Sequence, residues 1–164
     1  MKKQTTYVLM ISEYFPAYHP QAGKPTHFEE KIRYALTGEE YDDYGAKKFH
    51  TIRENPELWM KRIAKVNAGE AVLSVRKWSG KPYRSKQHEL FLFDKDSGLG
   101  VQKLINSLSV WLLGEPDSDE CNKVIKINDL SINDGLSEHD FRYMLADYDM
   151  KTPKAVIWFT SKRY

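Results

Sequence analysis

The sequence predicts one α+β domain, in which about three helices flank a small mixed barrel or curled sheet of five to six short strands. The length of 164 residues is typical of one domain with its own core. A hydrophobic content of 41% and a charged content of 29% are typical of a folded protein in water. Strand-like and helix-like runs follow each other without the regular strand–helix–strand order of a parallel sheet. We therefore expect a single domain over residues 1–164.

A short strand and a helix are predicted near the start of the chain. Residues 7–11, with the sequence YVLMI, form a brief apolar run of the kind found in buried strands. Thr26 and Glu29 have the spacing of a capping box, in which each side chain accepts a hydrogen bond from the backbone of the other residue. This pattern predicts a helix over residues 27–36 that ends at Gly38.

An extended segment and a second helix are predicted next. Residues 48–53 form the short extended segment. Asn55 followed by Pro56 supplies an N-cap and a proline in the first helical turn. Apolar residues then recur at helical spacing as far as Gly69. Trp59 belongs to this pattern, so we expect it in the core.

A β-hairpin is predicted in the middle of the chain. Its strands cover residues 71–78 and 88–93, which are rich in apolar and aromatic side chains, and a loop containing glycine and proline joins them. A short helix is predicted over residues 101–105. Further strands are predicted over residues 110–113 and 124–127.

A capped helix and a central strand are predicted at the end of the chain. Ser137 has the position of an N-cap with Asp140 three residues later, and Leu136 and Phe141 have the spacing of a hydrophobic staple. Residues 155–159, with the sequence AVIWF, are continuously apolar. Such a run predicts a strand that is covered on both faces.

The charge is distributed unevenly along the chain. The net charge is only +2, but residues 46–88 carry +8 and residues 89–150 carry −8. A chain of this kind often folds with one positive face, which attracts phosphate groups. In the alternative interpretation, the basic middle of the chain pairs with the acidic second half.

Several common sites and locations have no support in the sequence. The glycine-rich dinucleotide and P-loop motifs, the H-E-x-x-H zinc motif and the G-x-S-x-G motif are all absent. The five histidines are scattered without metal-ligand spacing, so neither a metal nor a cofactor is predicted. The single cysteine, Cys121, is expected to be structural. No apolar run approaches the roughly 20 residues of a membrane span, and we expect a cytoplasmic protein.

The segment from Lys47 to His88 is the predicted working surface, because it interleaves cations with aromatic rings. Cations neutralise phosphates and rings stack on unpaired bases, so this combination favours binding of RNA or another single-stranded nucleic acid. The alternative is an ordinary solvated hairpin whose rings fold back onto the sheet. The predicted binding residues are Lys48, Arg53, Arg76, Lys77, Trp78, Lys81, Tyr83, Arg84 and Lys86.

Residues 45–53, GAKKFHTIR, resemble the G-x-K-x-x-T-x-R signature of ASCH domains, which are relatives of the PUA RNA-binding barrel. The surrounding sequence is similar to proteins found in Bacteroidetes genomes and their phages. The resemblance implies a PUA-like fold and an RNA or nucleoside ligand. It also implies a second possibility, because bacterial acetylcytidine amidohydrolases of this group use the signature lysine and threonine with a downstream glutamate.

Carried over to this chain, that resemblance makes Lys48 the base that activates Thr51 as the nucleophile. Arg53 would be an electrostatic partner of the substrate, and Asp134 would take the place of the glutamate. Three hypotheses follow from the sequence. The first is a nucleic-acid-binding module, the second is an amidohydrolase acting on an acetylated nucleoside, and the third is a phage or mobile-element accessory protein that binds an acidic protein partner.

Overall fold

The computed structural model of the chain describes residues 4–40 and 45–164. These residues form four helices and eight strands, and the strands are arranged in two sheets. The strands are β1 Thr5–Met10, β2 His50–Arg53, β3 Ala71–Trp78, β4 Gln87–Phe93, β5 Gly100–Ser107, β6 Val110–Gly114, β7 Lys123–Ile125 and β8 Lys154–Trp158. The helices are α1 Phe28–Thr37, α2 Pro56–Asn67, α3 Ile127–Asn133 and α4 Glu138–Met144. The α+β class is therefore confirmed, with more strands and helices than the sequence predicted.

The first sheet has the strand order β1-β3-β4, with β1 parallel to β3 and β4 antiparallel to it. The second sheet has the order β2-β8-β5-β6-β7, and every pair in it is antiparallel. The predicted hairpin is confirmed as β3 and β4. The last strand, β8, lies between β2 and β5 and is buried along its whole length, as its apolar run predicted.

One element was predicted wrongly. Residues 101–105 were expected to form a short helix, but they lie in β5, between β8 and β6. Val101 and Leu104 are three residues apart, which is also the spacing of a helix face. In β5 they lie on opposite faces of a sheet that is covered on both sides, and this long-range pairing decides the conformation.

The two longer helices begin in different ways. The N-cap of α2 is Asn55, whose side chain accepts a hydrogen bond from the Leu58 N–H at 3.1 Å, as predicted. The N-cap of α1 is His27 and not Thr26, and the His27 side chain makes no capping hydrogen bond. The Thr26 hydroxyl accepts from the Phe28 N–H at 3.3 Å and donates to the Ser12 carbonyl at 2.7 Å, so it joins the start of α1 to the segment that follows β1.

A shared core holds the two sheets together. Helix α2 packs against β3, β5 and β8 and buries Trp59. Phe93 of β4 stacks on Phe159, just after β8, with ring centroids 5.7 Å apart. In the described parts of the chain, no helix is both long enough and apolar enough to cross a membrane.

Candidate functional site

The loop that joins β3 to β4, residues 79–86, is held by its own hydrogen bonds and is called the hairpin tip below. The Ser79 N–H donates to the Lys86 carbonyl at 2.8 Å and closes the loop. The Ser85 hydroxyl accepts from the Gly80 N–H at 3.0 Å and donates to the Lys81 carbonyl at 2.9 Å. These bonds give the loop a defined shape before any ligand binds.

Two aromatic rings lie together at this end of the hairpin. The ring centroids of Trp78 and Tyr83 are 5.3 Å apart, with the ring planes inclined by 52°. Tyr83 is 90% exposed, and its φ angle of 63° lies in the left-handed region that bulky residues seldom adopt. The loop therefore holds a large ring away from the core, and the alternative in which the rings fold back onto the sheet is not seen for Tyr83.

Three of the predicted cations lie in the hairpin tip: Lys81, Arg84 and Lys86. All three are exposed. Within residues 4–40 and 45–164, no acidic side chain forms an ion pair with any of them. Their charge is therefore available to an anionic ligand.

The cations of β3 are compensated by carboxylates. Arg76 donates to the Ser74 hydroxyl at 2.7 Å, and a terminal guanidinium nitrogen lies 3.8 Å from Glu89. The Lys77 ammonium lies 3.1 Å from both Glu13 and Glu29. Burial acts to lower the pKa of Lys77, but the two carboxylates outweigh it and raise the pKa above its ordinary value. Lys77 therefore contributes little net positive charge to the surface.

Lys48 and Arg53, the two predicted binding cations of segment 45–53, point inward. The Arg53 guanidinium donates to the Thr51 hydroxyl at 2.8 Å and to the Met10 carbonyl at 2.6 Å, so it joins β2 to the end of β1. Lys48 is only 1% exposed. The structure therefore divides the predicted binding residues into three groups: the hairpin tip that faces solvent, the β3 residues Arg76, Lys77 and Trp78, and Lys48 and Arg53, which make internal contacts.

Lys48 and Asp134 form a buried ion pair. The Lys48 ammonium donates to the Asp134 carboxylate at 2.8 Å and to its backbone carbonyl at 3.0 Å, and it lies 4.1 Å from the centre of the Phe28 ring. The backbone brings the two residues together, because the Phe49 N–H donates to the Asn133 carbonyl at 2.7 Å. The segment before β2 is thereby tied to the end of α3.

Burial and the ion pair act in opposite directions on these two groups. Burial lowers the pKa of Lys48 from 10.5 to about 8, although the Asp134 carboxylate opposes this shift. Burial acts to raise the pKa of Asp134, but Lys48 and His50 outweigh it and hold the pKa below its ordinary value. Both groups are therefore charged at neutral pH.

His50 and Tyr164 extend this buried network, and sequence reasoning did not find Tyr164. The His50 Nε2 atom lies 2.5 Å from the Tyr164 hydroxyl, and its Nδ1 atom lies 3.5 Å from the Asp134 carboxylate without forming a hydrogen bond. Burial lowers the pKa of His50 and raises that of Tyr164. Lys48 and His50 are two residues apart in an extended segment, so their side chains share a face. This spacing was the one feature of the sequence that could have placed His50 beside Lys48.

Thr51 lies apart from this pair. It is buried on the sheet face opposite to His50, and its hydroxyl accepts the hydrogen bond from Arg53. In the described residues, no hydrogen bond joins Thr51 to Lys48 or Asp134. The structure thus brings together two of the three predicted catalytic residues.

The described histidine, cysteine and acidic side chains form no group of three or more that could hold a metal ion.

The lowered pKa of Lys48 predicts how stability depends on pH. Between about pH 8 and 10.5 the unfolded chain still binds a proton that folded Lys48 has released, so the free energy of unfolding rises with pH in this window. We expect the free energy of unfolding of the wild type, minus that of Lys48→Met, to increase from pH 8 to pH 10.5 in urea titrations. A difference that stays constant or falls over this range contradicts the lowered pKa.

Comparison of the chain with protein-family models, with curated proteins and with solved structures finds no match. The ASCH-type fold and ligand that residues 45–53 imply therefore stay a prediction.

Proposed function

We propose that this domain binds single-stranded nucleic acid through the hairpin tip, and that its natural ligand is RNA. One observation carries the proposal. Lys81, Arg84 and Lys86 lie in one short loop without acidic partners in the described chain, beside a Tyr83 ring that is 90% exposed. This is the combination of charge and ring surface that grips an unpaired strand.

The two kinds of side chain have different roles in this proposal. The three cations neutralise backbone phosphates and release counterions, which supplies affinity without reading the sequence. The Tyr83 ring stacks on one base, and such stacking contributes about 1–3 kcal/mol per base. A base pair inside a duplex offers no free face to Tyr83, so the tip prefers single strands.

The choice of RNA and a PUA-like fold rests on the resemblance of residues 45–53 to the ASCH signature. In this proposal the signature segment stabilises the fold instead of touching the ligand. Lys48 anchors the end of α3 through Asp134, and Arg53 anchors the end of β1 through Met10. The hairpin supplies the binding surface.

The binding test compares the wild type with the triple variant Lys81→Ala, Arg84→Ala and Lys86→Ala. Fluorescence anisotropy with a labelled single-stranded RNA measures Kd over a series of salt concentrations. For the wild type, three phosphate contacts predict a slope of log affinity against log salt of about −2, since single strands give about −0.7 per contact. We expect the triple variant to lose most of this slope and most of the affinity.

A matched triple variant removes the same charge elsewhere: Lys61→Ala, Lys65→Ala and Lys151→Ala. These three lysines are exposed and lie outside the hairpin tip. We expect this control to retain the salt slope, and Tyr83→Ala to weaken binding while keeping the slope. If both triple variants bind alike, or if wild-type affinity does not change with salt, the hairpin tip is not the binding site.

The geometry favours this function over the amidohydrolase. An amidohydrolase needs Lys48 next to the Thr51 hydroxyl and a substrate that can reach both residues. Here Thr51 is bonded to Arg53, and Lys48, Thr51 and Asp134 are all buried. One feature agrees with such an enzyme: the pKa of Lys48 is lowered, as a lysine that acts as a base requires.

A further inference from the structure

The end of the five-stranded sheet formed by β6 and β7 has apolar side chains on both faces. Trp111 of β6 lies on one face and packs against Phe141 of α4, with ring centroids 6.1 Å apart. Val110 and Leu112 alternate to the other face, and Leu112 is paired with Val124 of β7, so these three side chains lie together. We call Val110, Leu112 and Val124 the β6–β7 face.

Two of the three side chains of the β6–β7 face are exposed, and Leu112 is half-buried. Val124 is 68% exposed and Val110 is 42% exposed. Helix α2 covers the sheet at β8 and β5, where Val101 and Ile157 are buried. Exposed apolar side chains that continue a core in this way are typical of a docking surface.

The loop between β6 and β7 places acidic groups next to this face. Asp117, Asp119 and Glu120 are exposed, and no side chain within residues 4–40 and 45–164 bonds to their carboxylates. Glu115 differs, because its carboxylate accepts from Gln102 at 3.0 Å. Lys123 precedes Val124 in β7 and therefore points to the opposite face of the sheet.

These features complement the hairpin tip. The tip offers three cations without acidic partners in the described chain, and the loop offers three carboxylates without basic partners there. The tip also offers the exposed Tyr83 ring, which fits an uncovered apolar face. Within the described chain, none of the tip cations is paired with a carboxylate of this loop, so one chain leaves both surfaces unsatisfied.

We propose that the hairpin tip of one copy docks on the β6–β7 face and the adjacent acidic loop of a second copy. The two surfaces differ, so the contact is head-to-tail, and further copies can add to a ring or a chain. The inference rests on the proposed function in one respect. Nucleic acid and the second copy use the same tip, so each excludes the other, and self-association regulates binding.

The negative charge of the acidic loop favours a second copy over nucleic acid as the partner of the β6–β7 face. Asp117, Asp119 and Glu120 repel phosphates, so the acidic loop cannot be part of a nucleic-acid surface. Val124 beside them needs an apolar or aromatic group from its partner. Tyr83, with cations next to it in sequence, provides both properties in a single loop.

Sedimentation velocity over a range of protein concentrations tests the proposal. At about 0.1 M salt we expect the sedimentation coefficient of the wild type to rise with concentration, and at about 1 M salt we expect this rise to disappear, because exposed charges are then screened within about 3 Å. A wild type that stays monomeric at all concentrations at the lower salt overturns the proposal. So does self-association that is equally strong at both salt concentrations.

Two charge-reversed variants identify the contact. The tip-reversed variant carries Lys81→Glu, Arg84→Glu and Lys86→Glu, and the loop-reversed variant carries Asp117→Lys, Asp119→Lys and Glu120→Lys. We expect each variant alone to be monomeric and their mixture to associate, because each then meets a complementary surface. Association of the mixture also shows that both variants are folded. A mixture that stays monomeric, with both variants folded by circular dichroism, overturns the proposal.

The two proposals can fail separately. The loop-reversed variant keeps the hairpin tip, so we expect it to bind single-stranded RNA at least as tightly as the wild type. If no variant binds RNA but the mixture associates, the proposed function fails and the self-association stands. If RNA binds but the wild type never associates, the function stands and the self-association fails.

Discussion

Asp134→Ala is expected to lower the free energy of unfolding by about 3–5 kcal/mol at neutral pH, because it leaves a buried ammonium without its partner. Lys48 is 1% exposed, and its ammonium loses the 2.8 Å bond to the carboxylate. The remaining neighbours are the Asp134 carbonyl and the Phe28 ring, which do not replace a negative charge. Urea unfolding followed by tryptophan fluorescence measures the loss.

Two further variants show that this loss comes from the unpaired charge. The double variant Lys48→Met and Asp134→Leu removes both charges and is expected to recover most of the stability, as apolar replacements of buried pairs commonly do. Arg142→Ala breaks an exposed pair with Glu138, and we expect a loss below about 1 kcal/mol. If Asp134→Ala costs no more than Arg142→Ala, Lys48 is not held as the structure shows.

Local sequence signals predicted the elements whose cause is local. Asn55 and Pro56 predicted the start of α2 because an N-cap needs only residues within one turn. Ser137 is another example, since its hydroxyl accepts from the Asp140 N–H at 3.1 Å as predicted. The strand bounds of the β3–β4 hairpin also followed from nearby residues, because apolar runs and turn residues adjoin each other in the sequence.

Elements decided by distant partners could not be predicted in this way. Residues 101–105 carry apolar groups at a spacing that suits a helix, and their pairing with β8, about fifty residues later, makes them a strand. Thr26 has the spacing of a cap, but His27 is the N-cap, and the Thr26 hydroxyl accepts from the Phe28 N–H while it donates to the Ser12 carbonyl, which the fold brings close. In both cases a tertiary contact outweighs the local preference.

The candidate site shows the same division. Counting charges placed +8 in residues 46–88, but it could not show that Glu13 and Glu29 compensate Lys77 or that Asp134 compensates Lys48. Those partners lie far away in the sequence. The hairpin tip was predictable because its cations and its ring lie in one loop. Its lack of acidic partners in the described chain became visible only in the fold.

Trp158→Ala is expected to lower the free energy of unfolding by about 3–5 kcal/mol, as much as Asp134→Ala, because it opens a large cavity at the centre of the second sheet. Trp158 is fully buried in β8, and its ring N–H donates to the Gln102 side chain at 2.9 Å. Its ring also meets the edges of His50 and Tyr164, with centroids 4.8 Å away in both cases. The variant therefore removes core volume and the wall of the buried polar network together.

Trp78→Ala is the matched control, because it makes the same substitution at a half-buried position near the hairpin tip. We expect it to cost well below half of the Trp158→Ala loss in urea unfolding, since solvent can fill the space that the ring leaves. Trp158→Phe keeps most of the ring volume but removes the donor to Gln102, and we expect an intermediate loss of about 1–2 kcal/mol. Equal losses for Trp78→Ala and Trp158→Ala would contradict the central position of β8. With β8 displaced, the pairing with β2 could not form as described, since β2 pairs with β8 along its whole length.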